Sequence, residues 1–202
     1  MIGEDIKEVL EEIGTPFTIV GKDSDEYLLF KENRQATKPF IREFFLQADL
    51  SYDTEAITGD VVILTPQSIP YIVMNKTGIE LEGVVYKYST VLYKANVSGE
   101  ILHPSGEVRD SHTYQKRTAF NLVTSGEYAL LTEAPYTGAD LEEGAYGQVS
   151  VKNKVMYIPQ SSGIEVNDRF QPSSGEFYKV ITISTRMFGA GIVFCELEED
   201  TR

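Results

Sequence analysis

The chain has one cysteine, Cys195, so it forms no intrachain disulfide and no cysteine-based zinc site. Cys195 sits in "GIVFCELEED" among apolar and acidic neighbours and reads as a small strand residue, not as a reactive thiol. There is no tryptophan, and there are only two histidines, His103 and His112, which stand in no metal-binding spacing. A Ser–His–Asp arrangement would have to draw on one of those two, and no Gly-x-Ser-x-Gly turn accompanies them. Positive charge is scarce: 18 Lys and Arg against 31 Asp and Glu give a net charge of −13 and a pI near 4.6. That balance argues against wrapping a nucleic-acid backbone, which takes Lys and Arg. It is compatible with a surface past which DNA slides, and with plain solubility. No apolar run approaches the roughly 18 residues of a membrane-spanning helix, and the acidic, periodic start "MIGEDIKEVLEEIG" is unlike a signal peptide. "GAGIVF" lacks the glycine spacing of a dinucleotide loop, and "ELEED" lacks the register of a calcium loop. "NVS" at 96–98 matches a glycosylation sequon and is expected to be a chance match, since the start of the sequence does not read as a secretory signal. No cofactor and no metal is expected.

What the chain has is strand chemistry. Hydrophobic residues make up 42%, with 12 Tyr and 10 Phe, a composition that suits β structure. Residues 4–13 place Ile6, Val9, Leu10 and Ile13 on one helical face, and Gly14 and Pro16 stop the pattern. An amphipathic helix is expected, packing on its own domain or else docking on a partner. "FTIV" and "YLLF" around "GKDSDE" predict a hairpin, whereas "KPFIREFFLQADLSYDT" suits either a short helix or a strand. Residues 58–130 read as strands, with "SGEILHPSGEVRDS" (98–111) interrupting them as a loop or hairpin tip. Gly-rich, acidic 135–148 reads as an exposed loop, and four short strands follow. The expected fold is mainly β: a small β-barrel or sandwich with long loops, one or two short helices and the N-terminal amphipathic helix. The expected division is 1–54, a helix and hairpin region, and 55–202, a β-rich domain, unless the two are continuous.

One pattern occurs twice. Asp60 follows Gly59 and Asp168 follows Asn167, residue types that tolerate φ > 0. Each Asp precedes a proline (Pro66, Pro172) and then a Tyr-x-Val strand, Tyr71 and Val73 or Tyr178 and Val180. Asp60, Tyr71, Asp168 and Tyr178 are therefore expected to structure turns, the carboxylates bonding backbone amides. Use of the two Asp for general acid–base chemistry is the sharper alternative. Lys116 and Arg117, beside Tyr114 and Phe120, form the densest positive cluster. Two charges are too few for nucleic acid, so Tyr114, Lys116 and Arg117 are candidate contacts to an acidic partner surface.

The segments "GDVVILTPQSIPYIVMNK", "YKANVSGEILHPS", "YQKRTAFNLVTSGEYALLTE", "NDRFQPSSGEFYKVITI" and "RMFGAGIVFCELEEDTR", over roughly 55–202, resemble the neck or head-completion proteins of tailed bacteriophages. The resemblance implies a non-enzymatic virion protein at the head–tail junction, made in the host bacterial cytoplasm. It implies a homo-oligomeric ring that completes the head, joins portal or adaptor to tail proteins and surrounds the DNA channel without sequence-specific binding. It also implies that a loop could plug that channel, and 99–112 and 135–148 are the candidates. The competing readings are a tail-tube, tail-terminator or baseplate protein and a β-sandwich carbohydrate- or peptide-binding module.

Overall fold

A computed structural model of the protein describes residues 2–31, 44–109, 114, 116–132, 154–173, 175–186 and 190–202. The N-terminal α-helix is α1 (Ile2–Ile13), which ends where the Gly14 amide donates to the Leu10 carbonyl. It packs against the strands that follow it and buries Leu10, while Val9 and Ile13 stay exposed. The predicted apolar face is thus narrower than its spacing suggested, because the helix meets a curved barrel wall along one line. Lys7 Nζ, 2.6 Å from an Asp53 oxygen, fastens its outer side.

Six strands then close on themselves: β1 (Thr15–Ile19), β2 (Asp25–Lys31), β3 (Phe45–Ser51), β4 (Val61–Leu64), β5 (Ile69–Leu81) and β6 (Val84–Lys94). Their order around the barrel is β1-β2-β3-β6-β5-β4, every neighbour antiparallel and β4 returning to β1. The ambiguous segment before residue 54 is helical at Phe44 and strand over β3; residues 38–43 lie outside the described residues. After Ala95 and Asn96 a second set follows: β7 (Val97–Arg109), β8 (Lys116–Thr132), β9 (Lys154–Pro159), β10 (Arg169–Pro172), β11 (Tyr178–Ser184) and β12 (Ile192–Glu199), with a 3-10 turn at Gln160–Ser162. These close in the order β10-β11-β12-β9-β8-β7.

The protein is mainly β and built of closed barrels, as expected. The division at 54/55 does not follow the fold: it falls between β3 and β4 of one barrel, and the chain passes between barrels at 95–96. The reading of 98–111 as a loop is also corrected up to Arg109, because β7 runs through it. Its glycines and Pro104 are absorbed by register shifts against β8 at Gly99/Ile101, Ile101/Leu102 and Pro104/Gly106. Bulges of this kind let a strand carry residues that would otherwise break it. The segment 135–148 lies outside the described residues.

The two barrels are the same barrel twice. Pairing β1 with β7, β2 with β8 and so on to β6 with β12 gives one cyclic order for both. Residues 46–64 and 154–172 correspond without a gap, and within them the Asp is the only identity. Burial repeats all the same: Ala48 with Met156, Leu50 with Ile158, Thr54 with Ser162, Ala56 with Ile164 and Val62 with Phe170 are all buried. The sheets even bulge at the same place, after Val73 on β5 and after Val180 on β11.

Each barrel has its own core, around Phe17, Leu50 and Leu92 in the first and Met156, Phe170 and Leu197 in the second. A third apolar cluster joins them, with Val61, Ile72 and Met74 facing Leu130, Val155, Tyr157, Ile192 and Phe194. This seam explains why "YIVM", "VMYI" and "IVFC" are continuous apolar runs: their strands bury both faces, one into a barrel and one into the seam. Tyr157 is its centre, with ring centroids 5.5 Å from both Tyr93 and Phe194 in edge-to-face geometry. At one margin the chains meet backbone to backbone. A Cβ on Gly191 would lie 2.1 Å from the Thr58 carbonyl oxygen, and one on Gly59 would lie 2.3 Å from that of Gly191.

Candidate functional site

The two Asp turns are the same device built twice. The Asp60 carboxylate accepts from the Ile57 amide at 2.9 Å, and the Asp168 carboxylate from the Glu165 amide at 2.8 Å. The residue before each Asp has positive φ, +95° at Gly59 and +72° at Asn167. Each turn then joins the next hairpin through an identical pair of backbone bonds. Val73 and Val180 donate to the carbonyls of Asp60 and Asp168, and Gly59 and Asn167 donate back to Val73 and Val180. The carboxylate organises three residues of turn that would otherwise leave an amide unpaired at the barrel's end. Tyr71 and Tyr178, two residues before those valines, are buried in the two cores.

A basic side chain completes each turn, and neither partner was evident from the sequence. Lys22 Nζ, just beyond β1, lies 2.7 Å from Asp60 Oδ2 and bonds the Glu55 carbonyl as well. His103 Nδ1, on the corresponding strand β7, lies 2.6 Å from Asp168 Oδ1, whose side chain is fully buried. The repeat places the two partners at the same barrel end, but they differ in residue type and lie far from their Asp in sequence. Each Asp is thus committed to its own turn and its own partner, and the structure does not join the two into one acid–base pair.

Beside the second turn lies a denser charged group. Arg169 Nε donates to Asp200 Oδ2 at 2.8 Å, and Arg202 donates to both Asp200 oxygens and to the Asn167 carbonyl. Burial alone would raise the Asp200 carboxyl, but the bonds from Arg202 and Arg169 outweigh it and hold the group well below the usual carboxylate range. The same guanidinium of Arg169 lies over the ring of Phe120 at 3.9 Å, with Arg202 on that ring at 5.3 Å. Tyr178 closes the other side: Lys154 Nζ donates to its hydroxyl at 2.7 Å, and that hydroxyl donates to Glu176. Burial, with the Glu176 bond, raises the Tyr178 phenol.

Phe120 and His103 belong to the root of a long two-stranded ribbon. Beyond Leu102, β7 pairs only with β8, and β8 before Leu130 pairs only with β7. This ribbon carries the predicted contact residues Lys116 and Arg117, both exposed, with Lys116 2.6 Å from Glu107 across the strands; Tyr114 is 72% exposed with φ +57°. Val108, Leu122 and Val123 are exposed along it. The first barrel has its own ribbon, the outer part of β5 and β6, which turns at Glu82–Gly83 and exposes Leu81 and Val84. Its root is braced by Lys76, which bonds the Thr54 carbonyl and lies 4.2 Å from the Tyr88 ring centre. Burial lowers the Lys76 ammonium from its ordinary value. The ribbons stand on non-equivalent hairpins, β5–β6 and β7–β8. They are where the two copies of the barrel differ most.

Between the barrels a cleft of about 330 Å³ is lined by Pro70, Asn96, Ser98, Tyr128, Pro172 and Ser173 among others. Comparison with protein-family models, with curated proteins and with solved structures finds no match.

Proposed function

We propose that the chain is a structural virion protein of a tailed bacteriophage, working in the neck as a homomeric ring that joins head to tail around the DNA channel. The observation that carries this reading is the pair of exposed ribbons on two fused barrels. Closed barrels hide their edges, so a ribbon that leaves the barrel presents unpaired strand edges and apolar side chains. A two-stranded ribbon is only marginally stable by itself in water and gains from a partner along its length. The resemblance over 55–202 gives the setting, and the net charge of −13 suits a channel that DNA passes without sticking. The non-enzymatic role and the position at the head–tail junction belong to this proposal.

The test is immunogold labelling of intact particles of the source virus with antibody to the whole chain, alongside mass spectrometry of the particles. Label at the head–tail junction is the expected result. Label along the tail or at its tip would move the protein to the tail-tube or baseplate class. Particles without the protein would overturn the virion reading. A second reading, a carbohydrate-binding module, draws on the inter-barrel cleft, where Tyr128 offers an aromatic wall beside Asn96 and Ser98. Glycan binding lost in Tyr128→Ala would favour it.

A further inference from the structure

We infer that the β5–β6 ribbon of one copy docks along the β7–β8 ribbon of the next copy. This contact rests on the ring reading above and names the surfaces that would make it.

Three observations converge on a second copy as the occupant. The first is charge. Beyond Lys76 and Lys87, which are bound to the barrel at Thr54 and Asp49, the β5–β6 tip carries only the exposed acids Glu80 and Glu82. The β7–β8 ribbon carries Arg109, Lys116 and Arg117 against a single acid, Glu107, among its described outer residues. In a chain of net charge −13 this ribbon is a local basic surface, and an acidic strand tip lies on the same chain. The second is apolar matching: Leu81 and Val84 are exposed beside Glu80 and Glu82, and Val108 is exposed opposite Arg117, with Leu122 and Val123 exposed further toward the root of that ribbon. The third is edge availability. Both ribbons hold strand edges with no neighbour in their barrels, so one can add to the other by backbone pairing, with side chains setting the register.

The two surfaces differ, so the contact is heterologous: each copy offers one ribbon forward and one back. Such a contact builds a ring if the rotation closes and a filament if it does not.

A charge exchange in the full-length chain tests this. Glu80→Lys with Glu82→Lys makes one variant, Lys116→Glu with Arg117→Glu a second, and all four changes a third. All four positions are exposed, so circular dichroism of each variant should match the parent. Sedimentation velocity and negative-stain microscopy read the assembly. The parent should form rings, and each two-site variant should associate more weakly by roughly tenfold or more. A mixture of the two variants should also recover assembly as alternating copies, because the positive tip of one then meets the negative ribbon of the other, and the negative tip meets the positive ribbon. The four-site variant should recover assembly, since opposite charges face each other again. Parental assembly that neither two-site variant weakens would overturn the ribbon contact and leave the neck reading standing. A four-site variant that stays dissociated, or a parent that is monomeric at all concentrations, would overturn it too. Absence of the protein from virus particles would remove the neck setting without altering the charge-exchange result.

Discussion

At the residue scale, the same carboxylate does the same work in two settings that differ in exposure. The Asp168 side chain is fully buried and holds both the Glu165 amide and His103. Asp60 is 18% exposed, and its cation is Lys22. Removing a buried acceptor leaves its donors unsatisfied, which costs more than losing a bond at the surface. Asp168→Ala should therefore destabilise the protein by about 2–3 kcal/mol and Asp60→Ala by about 1 kcal/mol, read as midpoint shifts in urea. Asp168→Asn keeps an acceptor for the amide and should fall between wild type and Asp168→Ala.

Asp200 gives a pH-dependent counterpart. Its folded carboxyl lies below its unfolded value, so the folded state gains stability from it above the unfolded pKa, near 3.9 for an Asp. That gain is lost as pH falls through the folded value. Asp200→Asn should cost about 2–3 kcal/mol at pH 7, and the gap to wild type should narrow steadily below about pH 4. A gap that stayed constant into acid would mean the group contributes through shape and not through charge. Cys195 is neutral in this range, since burial and the nearby Asp168 push its thiol up to about 12. It should react with disulfide reagents only as fast as the second barrel opens.

At the element scale, the strands were legible and their closure was not. Alternation in "YKYSTVL" gives the inner face of β6, where Thr90 and Leu92 are buried. Four-residue apolar runs mark the strands that bury both faces. The Asp and the Tyr-x-Val of the repeated pattern mark equivalent places in the two barrels, although 46–64 and 154–172 share only the Asp; the prolines do not correspond, since Pro172 matches Leu64 and Pro66 lies two residues beyond it. What repeats there is burial and turn geometry, which many residue types satisfy. The partner of each Asp was hidden because barrel closure, not local sequence, brings Lys22 and His103 to their carboxylates. The β7–β8 ribbon was hidden because Gly99, Gly106 and Pro104 read as breakers, whereas the strand absorbs them as bulges. Gly191 shows the opposite limit: nothing in "GAGIVF" announces that its backbone rests on Thr58 of the other barrel. Gly191→Ala meets both a φ of +112° and a carbonyl oxygen 2.1 Å from the new Cβ. It should cost about 2–3 kcal/mol, against about 1 kcal/mol for Gly126→Ala, where φ is +75° and the space is open. Thermal melts of the two variants separate contact from backbone strain.

At the scale of the whole molecule, the seam explains why two barrels make one body and why the stacking stops at two. The faces that meet are not equivalent. The first barrel uses β4 and β5, with Phe45 of β3 and Val91 and Tyr93 of β6 packed against them, and the second uses β8, β9 and β12. Packing of this kind could propagate indefinitely if both outer faces matched the inner ones. They do not. Where the seam has Val61 and Ile72, the second barrel has Arg169 and Lys179, the first of these tied to Asp200 and the second 3.2 Å from Glu198. Where the seam has Val155 and Tyr157, the first barrel has Gln47 and Asp49, the latter held by Lys31 and Lys87. Polar ends cap an apolar joint, so the coupling between barrels rests on the seam alone. Tyr157 is its largest fully buried side chain and touches aromatic rings from both barrels. Tyr157→Ala should cost about 3–5 kcal/mol, as deletion of a buried aromatic does. The loss should fall on the joint, since the ring faces away from the second barrel's own core. Calorimetry should then resolve one cooperative transition in the wild type into two in the variant, the barrels unfolding separately. A single transition lowered in temperature would mean that each barrel needs the other to fold.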